Sequence, residues 1–261
     1  PLATGILPIA FGEATKTVSF VMDKVKKYQF SIKWGIGTLT GDEEGEIVGK
    51  SNYLPEVNKI KDVLFEFIGE ISQIPPSYSA LKINGVRAYK LARANQEVNL
   101  QPRTVRVYAL DILKSISKDE TLFELVSGKG TYVRSLARDI AEKLGTIGHV
   151  KKLRRTSVGQ FSENHAISLD SLEALRHSAA ISRHFLAIET VLDDIPALSL
   201  LSEDARKLKC GQGISVNSAV NTFSKLGLNQ DQIVTILERE KIIALAKING
   251  ETIKPFRILN I

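Results

Sequence analysis

The chain has 261 residues, 43% hydrophobic and 25% charged, with a mean hydropathy of −0.02, values that exclude disordered, collagenous and coiled-coil classes and suffice for one large domain or one large plus one small. No apolar run reaches the roughly 18–20 residues of a membrane-spanning helix, and with Cys210 as the sole cysteine neither a disulfide framework nor a cysteine-based zinc site can form within it. The 35 Lys and Arg against 29 Asp and Glu give a net charge of +6 and a pI near 9.3, which suits an anionic partner as well as a plain basic surface.

The opening, PLATGILPIAFGEATK, has no Met and no signal-peptide pattern, so a chain entered part-way is expected, and the single cysteine suggests a reducing cytoplasmic setting. Tyr28, Phe30, Ile32, Trp34 and Ile36 alternate with Gln29, Ser31, Lys33 and Gly35, which predicts a half-buried strand. The polar, Gly-bracketed turn Thr40 to Glu46 follows, and Val57, Ile60, Leu64, Phe67 and Ile68 recur at helical spacing. Beyond Pro75-Pro76, the Asn84-Gly85 step marks a turn between two basic, aromatic-bearing halves. Thr104 to Leu113 and Thr121 to Ser127 read as strands. The second runs through Gly128-Lys129-Gly130 into a helix from about Thr131, with Leu136, Ile140 and Leu144 at i, i+4 spacing and Gly145 as its stop. Elements alternate too irregularly for βαβ repeats, so an α+β core with a mixed sheet is expected. From Val191 onward, a short helix at Ser202 and strands over Ile233 to Leu237, Ile242 to Ile248 and Phe256 to Ile261 suggest a small β-rich second unit.

Neither metals nor nucleotide cofactors are expected. His149, His165, His177 and His184 form no HExxH pattern, Asp42-Glu43-Glu44 lacks calcium-loop spacing, and no Gly pair completes a dinucleotide or phosphate loop. Lys151, Lys152, Arg154 and Arg155 fit a solvated charge run. Elsewhere cations interleave with aromatics: Lys82, Arg87, Lys90 and Arg93 with Tyr78 and Tyr89, and Lys129 and Arg134 around Tyr132. That mixture suits phosphates beside unstacked bases in single-stranded or loop RNA. The GKGTYVR segment, Gly128 to Arg134, offers a helix N-terminus with Thr131 as N-cap and Arg134 as a bidentate donor. It can hold a phosphate or a catalytic carboxylate, or be a simple capped helix.

Four blocks, taken in order, resemble the TruB family of tRNA pseudouridine synthases, which isomerise uridine-55 in the T-loop. They are Pro1 to Lys16, Lys26 to Val48, Ile74 to Arg93 and Gly128 to Phe161. The tail, Leu201 to Val216 and Ala244 to Asn260, is similar to a PUA RNA-binding module. The resemblance implies a pseudouridine synthase fold with a mixed, largely antiparallel sheet and flanking helices over 1–190, its N-terminal part missing, and a PUA-like domain over 191–261. It implies Tyr28 as the residue that stacks on the flipped base and takes the C5 proton, and Arg134 as partner of the catalytic aspartate. Tyr132 and Leu153 would line the uridine pocket and Asp42 would bind substrate, with RNA contacts from Lys16, Lys82, Arg87, Lys129 and Arg154. The family's essential Asp stands immediately before the Pro-Leu-Ala-Thr-Gly segment, so the nucleophile is expected just upstream of Pro1, and no residue of 1–261 takes that role. A monomer acting on the T-arm of tRNA, with no cofactor, is the implied enzyme. The alternative is a non-catalytic tRNA-binding or tRNA-folding protein, should nothing precede Pro1, and a basic domain with no RNA partner is a third reading.

Overall fold

The computed structural model describes residues 2–216 and 229–261, so Pro1 and positions 217–228 of the expected C-terminal module lie outside the described residues. In chain order the elements are β1 (Ala3–Gly5), α1 (Val18–Asp23), β2 (Lys26–Trp34), β3 (Ile36–Thr38), β4 (Ile47–Lys50), α2 (Val57–Leu64), β5 (Gly69–Gln73), β6 (Lys82–Ile83), β7 (Val86–Arg87) and α3 (Ala88–Arg93). There follow β8 (Arg103–Ser117), β9 (Glu120–Ser127), α4 (Val133–Lys143), β10 (Gly148–Val158), β11 (Phe161–Ser162), α5 (Leu169–Ala174), α6 (Glu189–Leu192), β12 (Ala197–Ser199), α7 (Ser202–Lys209), β13 (Ile214–Ser215), β14 (Ile233–Glu238), β15 (Lys241–Asn249) and β16 (Thr252–Ile258).

Two compact units emerge. The first holds residues 1–8 and 23–166 and the second residues 9–22 and 167–261. Compactness thus places its boundary after Ala166, and the expected division at 190/191 falls inside the second unit.

In the first unit a seven-stranded sheet runs β1-β10-β2-β9-β8-β5, with β11 added beside β10; only the β1–β10 pair is parallel. The sheet is therefore mixed and largely antiparallel, as expected. The alternation along β2 has the anticipated effect: Phe30, Ile32 and Trp34 are at most 1% exposed. They pack with Phe123 and Leu125 of β9 and with Leu136 and Ile140 of α4, which crosses β2 and β10. Phe30 stacks on Phe123 with ring centroids 5.2 Å apart, and the Trp34 indole N–H donates to the Thr121 hydroxyl at 3.0 Å, so this buried polar group is satisfied. The predicted strand stops short of Ile36. Gly35 at φ +81° breaks it, because a Cβ there would strike the Ser51 carbonyl oxygen at 2.8 Å, and Ile36 starts β3 instead.

Helix α2 follows the apolar spacing, with Ile60 and Leu64 buried. Asn84 (φ 49°) and Gly85 (φ 85°) both take left-handed conformations, the signature of a type I′ turn, and join β6 to β7. Helix α4 ends where Gly145 adopts φ +73°, its N–H and that of Thr146 returning to the Glu142 and Ala141 carbonyls.

The second unit is built on a five-stranded sheet, β12-β14-β15-β16-β13, whose core joins Leu198, Leu208, Ile236, Ala246 and Ile253. Its last strand covers Thr252–Ile258 rather than Phe256 to Ile261. Pairing with β15 sets that register, placing Ile253 opposite Ile248 and fully buried. Among the described residues, no helix is long and apolar enough to cross a membrane and no three His, Cys, Asp or Glu side chains cluster as metal ligands.

Candidate active site

Strand β10 carries the site. Two bulges, between Val150 and Lys152 and between Arg155 and Ser157, bracket Leu153, and bulges re-aim side chains at such places. Across one edge, Leu153 faces Phe30 and Arg155 faces Tyr28. Tyr28 and Leu153 are therefore diagonal neighbours on the core face of the sheet, both half-buried against the core cluster. Burial lowers the pKa of nearby Lys26, with Asp23 opposing the shift and Arg155 and Lys129 adding to it.

Along the other edge of β10 two segments dock. Strand β1 pairs in parallel, Ala3 opposite Leu153 and Thr4 opposite Arg154. Gly5 closes β1 at φ +94°, where a Cβ would overlap the Arg155 carbonyl oxygen, and the next N–H, of Ile6, donates to that oxygen at 2.8 Å. Gly5→Ala is therefore expected to lever β1 off β10 and to cost about 2–4 kcal/mol from strain and overpacking together. A melting temperature equal to wild type would contradict this close approach.

The second segment is the acidic turn. Val150 donates to the Gly41 carbonyl and accepts from the Glu43 N–H, both at 3.0 Å, which sets Asp42 opposite Val150. Thr40 Oγ1 donates to Asp42 Oδ1 at 2.5 Å, and Thr38 Oγ1 to the Asp42 carbonyl at 2.7 Å. One residue on, Glu43 Oε2 lies 2.7 Å from Nε2 of the buried His149, whose Nδ1 is 2.8 Å from the Ile36 carbonyl. The turn is thus pinned at both ends.

Arg134, on the first turn of α4, reaches into this turn. Its Nη1 donates to the Thr40 carbonyl at 2.9 Å and to Asp42 Oδ2 at 3.1 Å, and its Nη2 to the Tyr78 carbonyl at 2.7 Å. With side-chain exposures of 22% and 11%, Arg134 and Asp42 form a sheltered pair whose guanidinium fork is held from two segments. Asp42, expected at the substrate, has its Oδ2 engaged by Arg134. Among the described residues, GKGTYVR meets two carboxylates, Asp42 through Arg134 and Asp23 through Lys129.

The start of α4 differs from expectation. Gly130 turns the chain at φ +82°, the helix begins at Val133, and Tyr132 rather than Thr131 takes the N-cap position. Thr131 Oγ1 turns back to the Gly128 carbonyl at 3.4 Å, while the Tyr132 N–H is taken by Gln73 Oε1 at 2.8 Å. Sequence reasoning missed Gln73 and Thr40 as supports of Tyr132 and Asp42. Thr40 was readable, since a hydroxyl two residues before an aspartate in a turn can reach its carboxylate; Gln73 carried no local signal.

The structure brings together Tyr28 with Leu153 on β2 and β10, and Asp42 with Arg134 beside β10, while Tyr132 stands at the N-cap of α4, two residues before Arg134. The basic residues are more dispersed. Lys82 and Arg87 face each other across the β6–β7 hairpin, both exposed. Lys129 pairs with Asp23 at 2.8 Å and Arg154 with Glu163 at 2.6 Å, exposed contacts that an anionic ligand can exchange cheaply. Lys16 belongs to the second unit, where its amine donates to Glu13 at 2.7 Å and to the Ile258 carbonyl at 2.8 Å.

The mixed, largely antiparallel sheet with α4 across its core face has counterparts among solved structures. Solved chains in the "Crystal Structure of a Cbf5-Nop10-Gar1 Complex" (23% identity, TM-score 0.72, covering 98% of this chain and 73% of that one) and the "Structure of H/ACA RNP bound to a substrate RNA containing 2'-deoxyuridine" (21%, 0.70, 99% and 73%) share it. The family models for the TruB family pseudouridylate synthase N-terminal domain and the tRNA pseudouridylate synthase B C-terminal domain match residues 1–133 and 134–193. Among similar proteins are tRNA pseudouridine synthase B of Rhodospirillum rubrum, 47% identical over 100% of this chain and 85% of that protein, and that of Ehrlichia canis, 41% identical over 100% and 86%. The chain belongs to the TruB family of pseudouridylate synthases.

Proposed function

We propose that the protein isomerises uridine-55 in the T-arm of tRNA to pseudouridine, with an aspartate immediately ahead of Pro1 as nucleophile. One observation carries the reading: β1 and Asp42 share one edge of β10, with Ala3 opposite Leu153 and Asp42 opposite Val150. Because β1 runs parallel to β10, its N-terminal end is the end toward Asp42 and so toward Arg134. A carboxylate delivered there stays ionised next to a fixed guanidinium. The tRNA substrate rests on the names of the curated relatives, and position 55 on the resemblance of the four sequence blocks.

The reaction breaks the bond from N1 to C1′, turns the uracil and joins C5 to C1′; C5 gives up a proton and N1 gains one. Atoms balance within the nucleotide, so no cofactor is required. Tyr28 stacks on the extruded base and accepts the C5 proton, Leu153 and Tyr132 wall the pocket, and Asp42 acts through Arg134. Extruding the uridine costs a few kcal/mol, which stacking and phosphate contacts offset. Lys82, Arg87, Lys129 and Arg154 supply those contacts with Lys16, and 191–261 serves as a PUA-like RNA module of a monomer working in the cytoplasm.

The test is hydrogen release from C5-tritiated uridine in a tRNA transcript by the full-length protein. About one C5 hydrogen per tRNA should be released, and no release contradicts the reading. Lys82→Ala with Arg87→Ala should weaken tRNA binding whatever the sequence of the RNA. The pair should also lower the salt slope of log Kd by about 1–2, since two phosphate contacts are lost. An unchanged slope places the RNA elsewhere.

A further inference from the structure

We infer that Gln73 is a positioning residue of the pseudouridylation site, acting through Tyr132; the inference rests on the function proposed above. Gln73 ends β5 and is 1% exposed. Its Oε1 accepts the Tyr132 N–H at 2.8 Å, which fixes the amide's orientation, because only the oxygen can accept from a backbone N–H. Its Nε2 is then left buried with no hydrogen-bond partner among the described residues. An apolar side chain of the same length would leave the Tyr132 N–H without this acceptor. What Gln73 provides is an acceptor at the residue that precedes α4.

The surrounding bonds separate this role from holding the fold. The Ile74 carbonyl already accepts from Ser135 Oγ at 2.7 Å and from Arg138 Nη2 at 3.1 Å, and the Tyr78 carbonyl from Arg134 Nη2. Helix α4 is therefore stitched to the 74–78 segment without Gln73. Within α4 the Tyr132 carbonyl accepts from the Leu136 N–H at 3.0 Å, while Gln73 takes the Tyr132 N–H and so fixes, from outside the helix, the point from which the Tyr132 ring is hung between Gly130 and Arg134.

The test compares full-length wild type, Gln73→Met and Gln73→Glu on a tRNA transcript. Gln73→Met keeps the shape and removes the acceptor, and should lower kcat about tenfold or more with tRNA affinity within a few-fold of wild type. Gln73→Glu keeps an acceptor and should recover most of kcat. Its recovery should be greater toward the acidic end of the working range, where burial keeps the new carboxyl neutral and amide-like. A kcat equal to wild type in Gln73→Met overturns the inference, and so does a Gln73→Glu enzyme as slow as Gln73→Met. Amide hydrogen exchange reads the same hydrogen bond with neither turnover nor the Met variant: the Tyr132 N–H should be protected in wild type, and free exchange there overturns the inference. Absence of wild-type turnover would strike the proposed function and leave that protection to decide on Gln73.

Discussion

Tyr28→Leu in the full-length protein is expected to abolish pseudouridine formation while leaving tRNA affinity within a few-fold of wild type. The side chain sits on the core face of β2, diagonal to Leu153 and half-buried, so an aliphatic replacement of similar bulk keeps the packing against the core cluster. On the proposed function, the loss is of the phenol as both the aromatic face for the extruded uracil and the acceptor for its C5 proton. Removing the proton acceptor alone is worth about 10²–10⁴ in rate. Stacking adds about 1–3 kcal/mol per base, which the many phosphate contacts of a tRNA dilute in the overall affinity. Single-turnover rates beside binding isotherms give the split, and near-normal turnover by Tyr28→Leu removes Tyr28 from the mechanism.

Arg134→Ala has the second large effect, and it combines rate with stability. The guanidinium ties the acidic turn, through the Thr40 carbonyl and Asp42, to the Tyr78 carbonyl, and its removal leaves Asp42, 11% exposed, without its cation. Breaking one side of a buried ion pair costs about 3–5 kcal/mol; the partial exposure of this pair puts the expected loss near the lower figure. The rate should fall by about 10²–10³, the scale of one lost electrostatic contact at a reacting centre. Asp42→Asn tests the assignment of Asp42 as Arg134's holder rather than a substrate ligand. The double variant should be little worse in rate than Arg134→Ala alone, because the two side chains act as a unit. Additive losses would give Asp42 a separate role.

Legibility in the sequence followed the range over which each signal acts. Period-2 alternation in β2, period-3.6 spacing in α2 and α4, and the Asn84-Gly85 step are local patterns, and the elements appear where they predict. Boundaries slipped where a distant backbone intervened: Ser51 behind Gly35 cut the first strand, and the pairing of β16 with β15 moved the last one. Tyr28, Arg134, Tyr132, Leu153 and Asp42 were nameable through the family resemblance, but the pairing of Asp42 with Arg134, 92 positions apart, is a product of both packing against β10. Gln73 stayed hidden for the same reason, its partner lying 59 residues away. Lys16 shows the converse: a basic residue in a family block whose amine is engaged within the second unit, at Glu13 and Ile258.

On the proposed function, this chain in its full-length protein converts one uridine of the tRNA T-loop. Mapping pseudouridine at nucleotide resolution in a tRNA transcript after incubation with purified full-length protein tests it most directly. A single new pseudouridine is expected at position 55, absent when that uridine is replaced by cytidine. Pseudouridine at another position, or tRNA bound tightly and returned unmodified, would contradict it.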